Sequence, residues 1–136
     1  MRITSPIYDA YLKCPTKCFL RARGEIATEN EYLEWARTEK ALFVSEGSQR
    51  LMQETEGGEC VRGDYAAGSA KSPKWRLAIN FPASAENLES TIHAVEHVPS
   101  QGRGKSARFL PIRFIYTDKL SRDDRLLLAF DVLAGC

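Results

Sequence analysis

Four short stretches of this 136-residue chain carry residue types and spacings that could do chemistry. His93-Ala94-Val95-Glu96-His97 fits H-x-x-E-H, a pattern in which a helix brings two imidazoles one turn apart onto zinc. Cys14-Pro15-Thr16-Lys17-Cys18 offers two thiols, soft donors suited to zinc or an iron–sulfur cluster. Lys13, Lys17, Arg21 and Arg23 lie among Tyr11 and Phe19, which would pair phosphate contact with aromatic stacking, as in single-strand nucleic-acid binding. Gly102-Arg103-Gly104-Lys105 could grip a phosphate, although it lacks Walker spacing.

Each stretch also has a plainer reading. The His93–His97 segment is rich in β-branched residues and closes at Pro99, so a strand suits it better than a helix. On a strand the two histidines share a face about 13 Å apart, too far to chelate one ion, and Glu96 points away from His93. Both then read as ordinary strand residues beside a loop. One C-x-x-x-C pair cannot close a tetrahedral site, and two partly buried thiols in a helical hairpin would look the same. The basic stretch reads equally well as a solvated face, and the glycine-flanked Arg103 as a hairpin turn.

The elements that must position these residues follow from local pattern. Ser5-Pro6 reads as an N-cap followed by proline at the first helical position. Ile7, Tyr8, Tyr11 and Leu12 then recur at helical spacing until Pro15. A second helix covers Thr16 to Arg23, with Gly24 as its stop. Asn30 to Glu54 is the longest helical pattern, capped by Asn30, with Tyr32, Ala36, Phe43, Gly47 and Leu51 on one face. Residues 55–74 read as a long flexible loop. Strands are expected at Trp75–Phe81, with Trp75, Leu77, Ile79 and Phe81 on one face, and at Thr91–Val98 and Arg108–Tyr116. The latter two form a long hairpin, while Ser84–Ser90 allows at most a turn of helix. Ser121 caps a last helix whose apolar stripe is Leu126, Leu127, Phe130 and Leu133.

Bulk properties narrow the classes. With 43% hydrophobic and 27% charged residues, the chain reads as one small globular domain or part of a larger one. A net charge of +1 leaves any nucleic-acid contact to a local patch. No apolar run approaches the roughly 18–20 residues that span a bilayer, and no secretory leader is evident. A cytoplasmic location is expected, with no membrane partner and cysteines kept as thiols. The apolar ending LLLAFDVLAGC leads us to expect that further chain packs against it.

Two segments carry a family resemblance. SPIYDAYLKCPTKCFLR (Ser5–Arg21) looks like the opening of RecB-like nucleases of the PD-(D/E)XK type, relatives of the CRISPR-associated RecB-like exonucleases. His93–Ala134 resembles the hairpin and helix that follow in that group. The resemblance implies an α/β fold with a partial PD-(D/E)XK-like core, in which N-terminal helices pack on a short mixed sheet with a long hairpin. It implies a single, truncated RecB-like nuclease domain over residues 1–136, with DNA as partner and Mg²⁺ or Mn²⁺ as cofactor.

The family sets an Asp on the second core strand, Glu-x-Lys on the third, and a Gln with an aromatic four residues on in the next helix. Those positions fall here at His93, at Pro111 and Arg113, and at Leu126 and Phe130. Histidine is a poor Mg²⁺ ligand, proline offers none, and arginine cannot replace a lysine that exchanges protons. In iron–sulfur members the cysteine at the position of Cys14 joins three downstream cysteines around a [4Fe–4S] cluster, and those partners are absent from this sequence. The expectation is a RecB-like nuclease-family domain acting on DNA, incomplete or catalytically degenerate. The alternative is a non-catalytic nucleic-acid-binding or interaction module on the same scaffold. Lys13, Lys17 and Arg21 are the expected DNA contacts and Cys14 the expected metal ligand.

Overall fold

The computed structural model describes residues 1–24, 31–55, 59–62, 75–98, 103–104 and 108–135. Strand β1 (Ile3–Thr4) runs directly into α1 (Ser5–Lys13). Thr4, not Ser5, takes the extended N-cap conformation, so Ser5 and Pro6 are the first two helical residues. A proline there forfeits no intrahelical bond. Cys14 swings to extended backbone ahead of Pro15, as residues before proline prefer, and that breaks α1 from α2 (Pro15–Ala22). Gly24, at φ +78°, ends the second helix in the left-handed conformation glycine tolerates.

Helix α3 (Glu31–Glu54), β2 (Glu59–Arg62), β3 (Trp75–Ala85), β4 (Leu88–Val98), β5 (Arg108–Ile112) and α4 (Arg122–Gly135) follow. The sheet is mixed. Its order is β1-β4-β3-β2, and β5 pairs with β4 as well. β1 and β5 therefore share one edge of β4: β1 lies parallel against Leu88–Glu89, and β5 antiparallel against Ala94–Val98. Between them Ser90–His93 has no strand partner on that edge among the described residues.

Several expectations need correction. Residues 59–62, read as loop, form β2, parallel to β3; the remainder of 55–74 except Thr55 lies outside the described residues, as does the expected cap Asn30. Ser84–Ser90 is not helical. It is the tip of a β3–β4 hairpin turning at Glu86-Asn87, where Glu86 has φ 54°. β5 stops at Ile112, short of the expected Tyr116. Along α3 only Ser48 is buried, and Tyr32, expected to face inward, is 70% exposed. On α4 Leu127 and Phe130 are buried as expected, but Leu133 is 59% exposed and its place is taken by Asp131 and Ala134.

Helix α4 packs on one face of the sheet through Ala134, against Trp75, Ala78, Ala83, Ile92 and Val95. Helix α1 joins it there, with Tyr8 stacked on Phe130 at 5.1 Å between centroids. Leu51 and Met52 at the end of α3 cover the other face, against Leu77, Ile79 and Ala94. Trp75, Leu77, Ile79 and Phe81 were expected on one face, yet Trp75 and Phe81 pack in the first cluster and Leu77 and Ile79 in the second. The strand's two-residue alternation changes phase twice. A register shift opposite Glu59 and Cys60 adds a residue at Arg76, as a β-bulge does. Asn80 then adopts φ 52°. On β4 the matching change falls at His93 and Ala94, so Ile92 and Val95, three residues apart, enter the same cluster.

Candidate functional site

A groove of about 1520 Å³ opens where these irregularities lie. Its walls are the α1–α2 pair, the middle of α3 from Lys40 to Ser48, the hairpin beyond Ile79, the segment from Arg113 to Ser121 and the first turn of α4. That first turn is held by a reciprocal cap. The Ser121 hydroxyl accepts from the Asp124 N–H at 3.1 Å, and the Asp124 carboxylate accepts from the Ser121 N–H at 2.9 Å. These Ser121 bonds hold the Asp124 carboxyl below its ordinary value.

At the groove's inner end sits a buried polar cluster. Asp131 is fully buried on α4. It accepts two bonds from Arg113, Nε to Oδ2 and Nη2 to Oδ1, each 2.9 Å. Ser90 Oγ on β4 donates to Oδ1 at 2.5 Å. This bidentate fork and the added hydroxyl are what a carboxylate removed from water requires. The cluster ties α4, β4 and the chain leaving β5 to one point.

His93 is the last residue of the unpaired stretch of β4. Its Nδ1 accepts the backbone N–H of Phe114 at 3.0 Å, and its ring stacks on Phe114 at 5.9 Å. The imidazole thereby replaces the main-chain acceptor that Phe114 forfeits when β5 leaves the ladder at Ile112. In the neutral ring the proton then resides on Nε2. Burial, then the charge of Arg113, pushes the His93 pKa below its ordinary value, with Asp131 opposing. On its far side Phe114 lies against α3 at Gly47, where an added Cβ would meet the ring at 2.9 Å. Glycine is needed at this approach.

The basic wall is assembled from five elements: Lys13 of α1, Arg21 of α2, Lys40 of α3, Arg62 of β2 and Lys119 of the segment before α4 all line the groove. Lys13 is held by Asp9 at 2.9 Å. Among the described residues Arg21, Lys40, Arg62 and Lys119 enter no ion pair. Of the four acids on the same walls, Asp9 is taken by Lys13 and Glu89 by Arg2, while Asp123 and Asp124 enter no ion pair among the described residues, Asp124 being bonded to the neutral Ser121. Two rings line the same groove: Phe43 and Tyr116, edge to face at 5.3 Å.

Of the residues expected from sequence, Lys13 and Arg21 reach this groove, whereas Lys17 does not line it. Cys14 is exposed at the junction of α1 and α2, with Cys18 one turn on. The N–H of Lys17 at the start of α2 draws the Cys14 thiol below its ordinary pKa. Among the described residues no three His, Cys, Asp or Glu side chains are grouped to hold a metal. Cys14 therefore has no ligand set here, and the donors do not fit a cluster. The H-x-x-E-H histidines also part company. They were expected on one face, but the phase change at His93 turns it toward Phe114 and α3, while His97 packs on Trp75 and Phe109.

The positions the nuclease resemblance assigns to metal ligands do not fit Mg²⁺ or Mn²⁺. His93 spends Nδ1 on a backbone N–H, Pro111 pairs with Val95 in the ladder, and Arg113 is committed to Asp131. Phe130, at the aromatic position, is buried against Tyr8. Sequence reasoning missed Asp131, Lys40, Phe43, Arg62, Tyr116 and Lys119. For Asp131 a signal was present: a lone acid four residues after Leu127 and three before Ala134 stands within the buried stripe, and a charge there must be paired. No protein-family model, curated protein or solved structure matches this chain. No described helix is long and apolar enough to cross a membrane.

Proposed function

We propose that this chain is a nucleic-acid-binding domain that holds DNA in the basic groove without cutting it, on a scaffold of RecB-like nuclease type. One observation carries the reading: four cations outside any ion pair among the described residues, from separate elements, converge on one groove against two such acids, Asp123 and Asp124, in a chain whose net charge is only +1. Side chains brought together from α2, α3, β2 and the segment before α4 do not cluster by composition alone. A phosphate backbone is the ligand that a row of separated cations suits, because each contact releases condensed counterions.

The non-cutting part rests on Arg113 and Asp131. Hydrolysis at the resembled site calls for a carboxylate facing a metal and a lysine facing water. Asp131 is wholly sequestered and Arg113 is spent in neutralising it. Neither is free to serve.

The test is fluorescence anisotropy of a labelled single-stranded DNA titrated with the full chain at increasing salt. Binding is expected to weaken linearly in log[salt], with a slope of roughly −0.7 per phosphate neutralised. Each of Arg21→Glu and Lys40→Glu should weaken binding and flatten that slope. No cleavage is expected with Mg²⁺ or Mn²⁺. Absence of binding at about 50 mM salt, where such contacts are strong, would sink the proposal; metal-dependent cleavage lost on His93→Ala would replace it with an active nuclease.

A further inference from the structure

We propose that Phe43 and Tyr116 form a base-stacking subsite in the groove, which takes an unpaired nucleobase while Lys40 and Lys119 hold the phosphates beside it. This inference rests on the nucleic-acid reading and goes beyond it by assigning a role to the base.

Both rings are large, apolar and open to solvent: Phe43 is 36% and Tyr116 49% exposed. Both line the groove. Exposed aromatics also occur at Tyr32 and Trp35 of α3, but those two pack on each other away from the groove. Phe43 and Tyr116 instead come from distant parts of the sequence and meet edge to face, with centroids 5.3 Å apart and planes at 70°. An edge-to-face pair uses only one face of one ring. The contact therefore leaves π-faces that the partner ring does not cover, on rings that both line the groove.

The pair is held in place. Tyr116 lies two residues beyond Phe114, whose ring is wedged between Gly47 of α3 and His93 of β4, and whose N–H is bonded to His93. Phe43 lies one turn before Gly47 on the same helix. The close approach at Gly47 thus sets the separation of the two rings, and a preorganised platform loses little entropy when a base arrives.

A lysine lies three residues from each ring, and both lysines line the same groove. Lys40 precedes Phe43 by three residues, so the two are neighbours on the helix surface. Lys119 follows Tyr116 by three, in the segment before α4. Neither is in an ion pair among the described residues. Aromatic rings and unpaired lysines on one groove offer a nucleotide a surface for its base and cations for its phosphates. A base inside a duplex has both faces covered by its neighbours, so this subsite selects unpaired strands by geometry rather than by sequence.

The experiment compares three labelled probes of equal length on the full chain by anisotropy: an oligothymidylate, the same backbone without bases, and a blunt duplex. The oligothymidylate is expected to bind more tightly than the abasic strand, by roughly five- to 150-fold for one stacked base. Tyr116→Ala should bring the oligothymidylate down toward the abasic level, and Tyr116→Phe should retain the difference. Tyr116 is half exposed, so neither change threatens the fold. Equal binding of abasic and base-bearing strands, or an equal loss on both with Tyr116→Ala, overturns the stacking subsite while leaving the basic groove standing. No binding of any probe at low salt overturns both.

Discussion

Replacing Arg113 by Met tests how the inner end of the groove is held together. The substitution keeps most of the aliphatic stem and removes the guanidinium, leaving Asp131 at zero exposure with only the Ser90 hydroxyl. Stranding one partner of a buried ion pair costs about 3–5 kcal/mol. The Arg113 side chain is itself 14% exposed, so some water can reach the cluster and the lower end, about 3 kcal/mol, is expected. For a chain of this size that corresponds to a fall in Tm of roughly 10 °C, a large share of the roughly 5–15 kcal/mol that domains possess.

Removing both charges should behave differently. Arg113→Met with Asp131→Leu leaves no stranded ion, and apolar replacement of a buried pair is often neutral. It does orphan the buried Ser90 hydroxyl, at about 1–3 kcal/mol, which a third change, Ser90→Ala, should recover. Urea unfolding followed by tryptophan fluorescence reads this out, because Trp75 is buried among Phe81, His97 and Phe109. A single variant within about 1 kcal/mol of the parent, well under the buried-pair range, or a triple variant no better than the single, would refute the reasoning.

Two further perturbations probe the Phe114 wedge. Gly47→Ala gains about 1 kcal/mol of helix propensity but drives a methyl to 2.9 Å from the Phe114 ring, an overpacking that costs about 1–3 kcal/mol; a net loss near 1 kcal/mol is expected in urea unfolding, relieved by adding Phe114→Leu, and a stabilised variant would show that the ring moves freely. His93 titrates below its ordinary value near 6.5 because burial and Arg113 disfavour its charged form, so its contribution to stability is present above that value and is lost as pH falls below it. An NMR titration of its ring should give a midpoint under 6.5, and His93→Asn should flatten the acid limb of the stability profile; a midpoint at or above the ordinary value contradicts the buried His93 site.

Local signals read well where local physics decides. The Pro15 break, the Gly24 stop and the Ser121 cap are short-range events, and each appears where the residues called for it. The α4 stripe was legible at Leu127 and Phe130, but Leu133 and Asp131 exchanged roles because a buried partner, Arg113, can bring an acid inward and no periodicity records that. β3 was misread because a bulge at Arg76 and a left-handed Asn80 alter its phase, and both answer to pairing with β2 and β4. The basic groove was half legible. Lys13 and Arg21 belong to a visible cluster, whereas Lys40, Arg62 and Lys119 are isolated along the chain and meet only through the fold. α3 misled for the opposite reason. Its pattern suggested an inward face, but the sheet beneath is short, and much of the helix overhangs the groove.

The two phase changes along the β3–β4 hairpin constrain how its length can drift. Within an ordinary strand, losing or gaining one residue sends every side chain beyond that point to the opposite face. Here the strands already contain such steps at Arg76 and Asn80, with the reciprocal step at His93. Deleting Asn80 would keep Phe81 and Ala83 toward the α4 layer but leave His93 with no residue opposite it, unless β4 lost a residue at the same level. Descendants of this hairpin should therefore gain or lose residues in opposed pairs, and the bend that forms the groove floor should outlast changes in the side chains that line it.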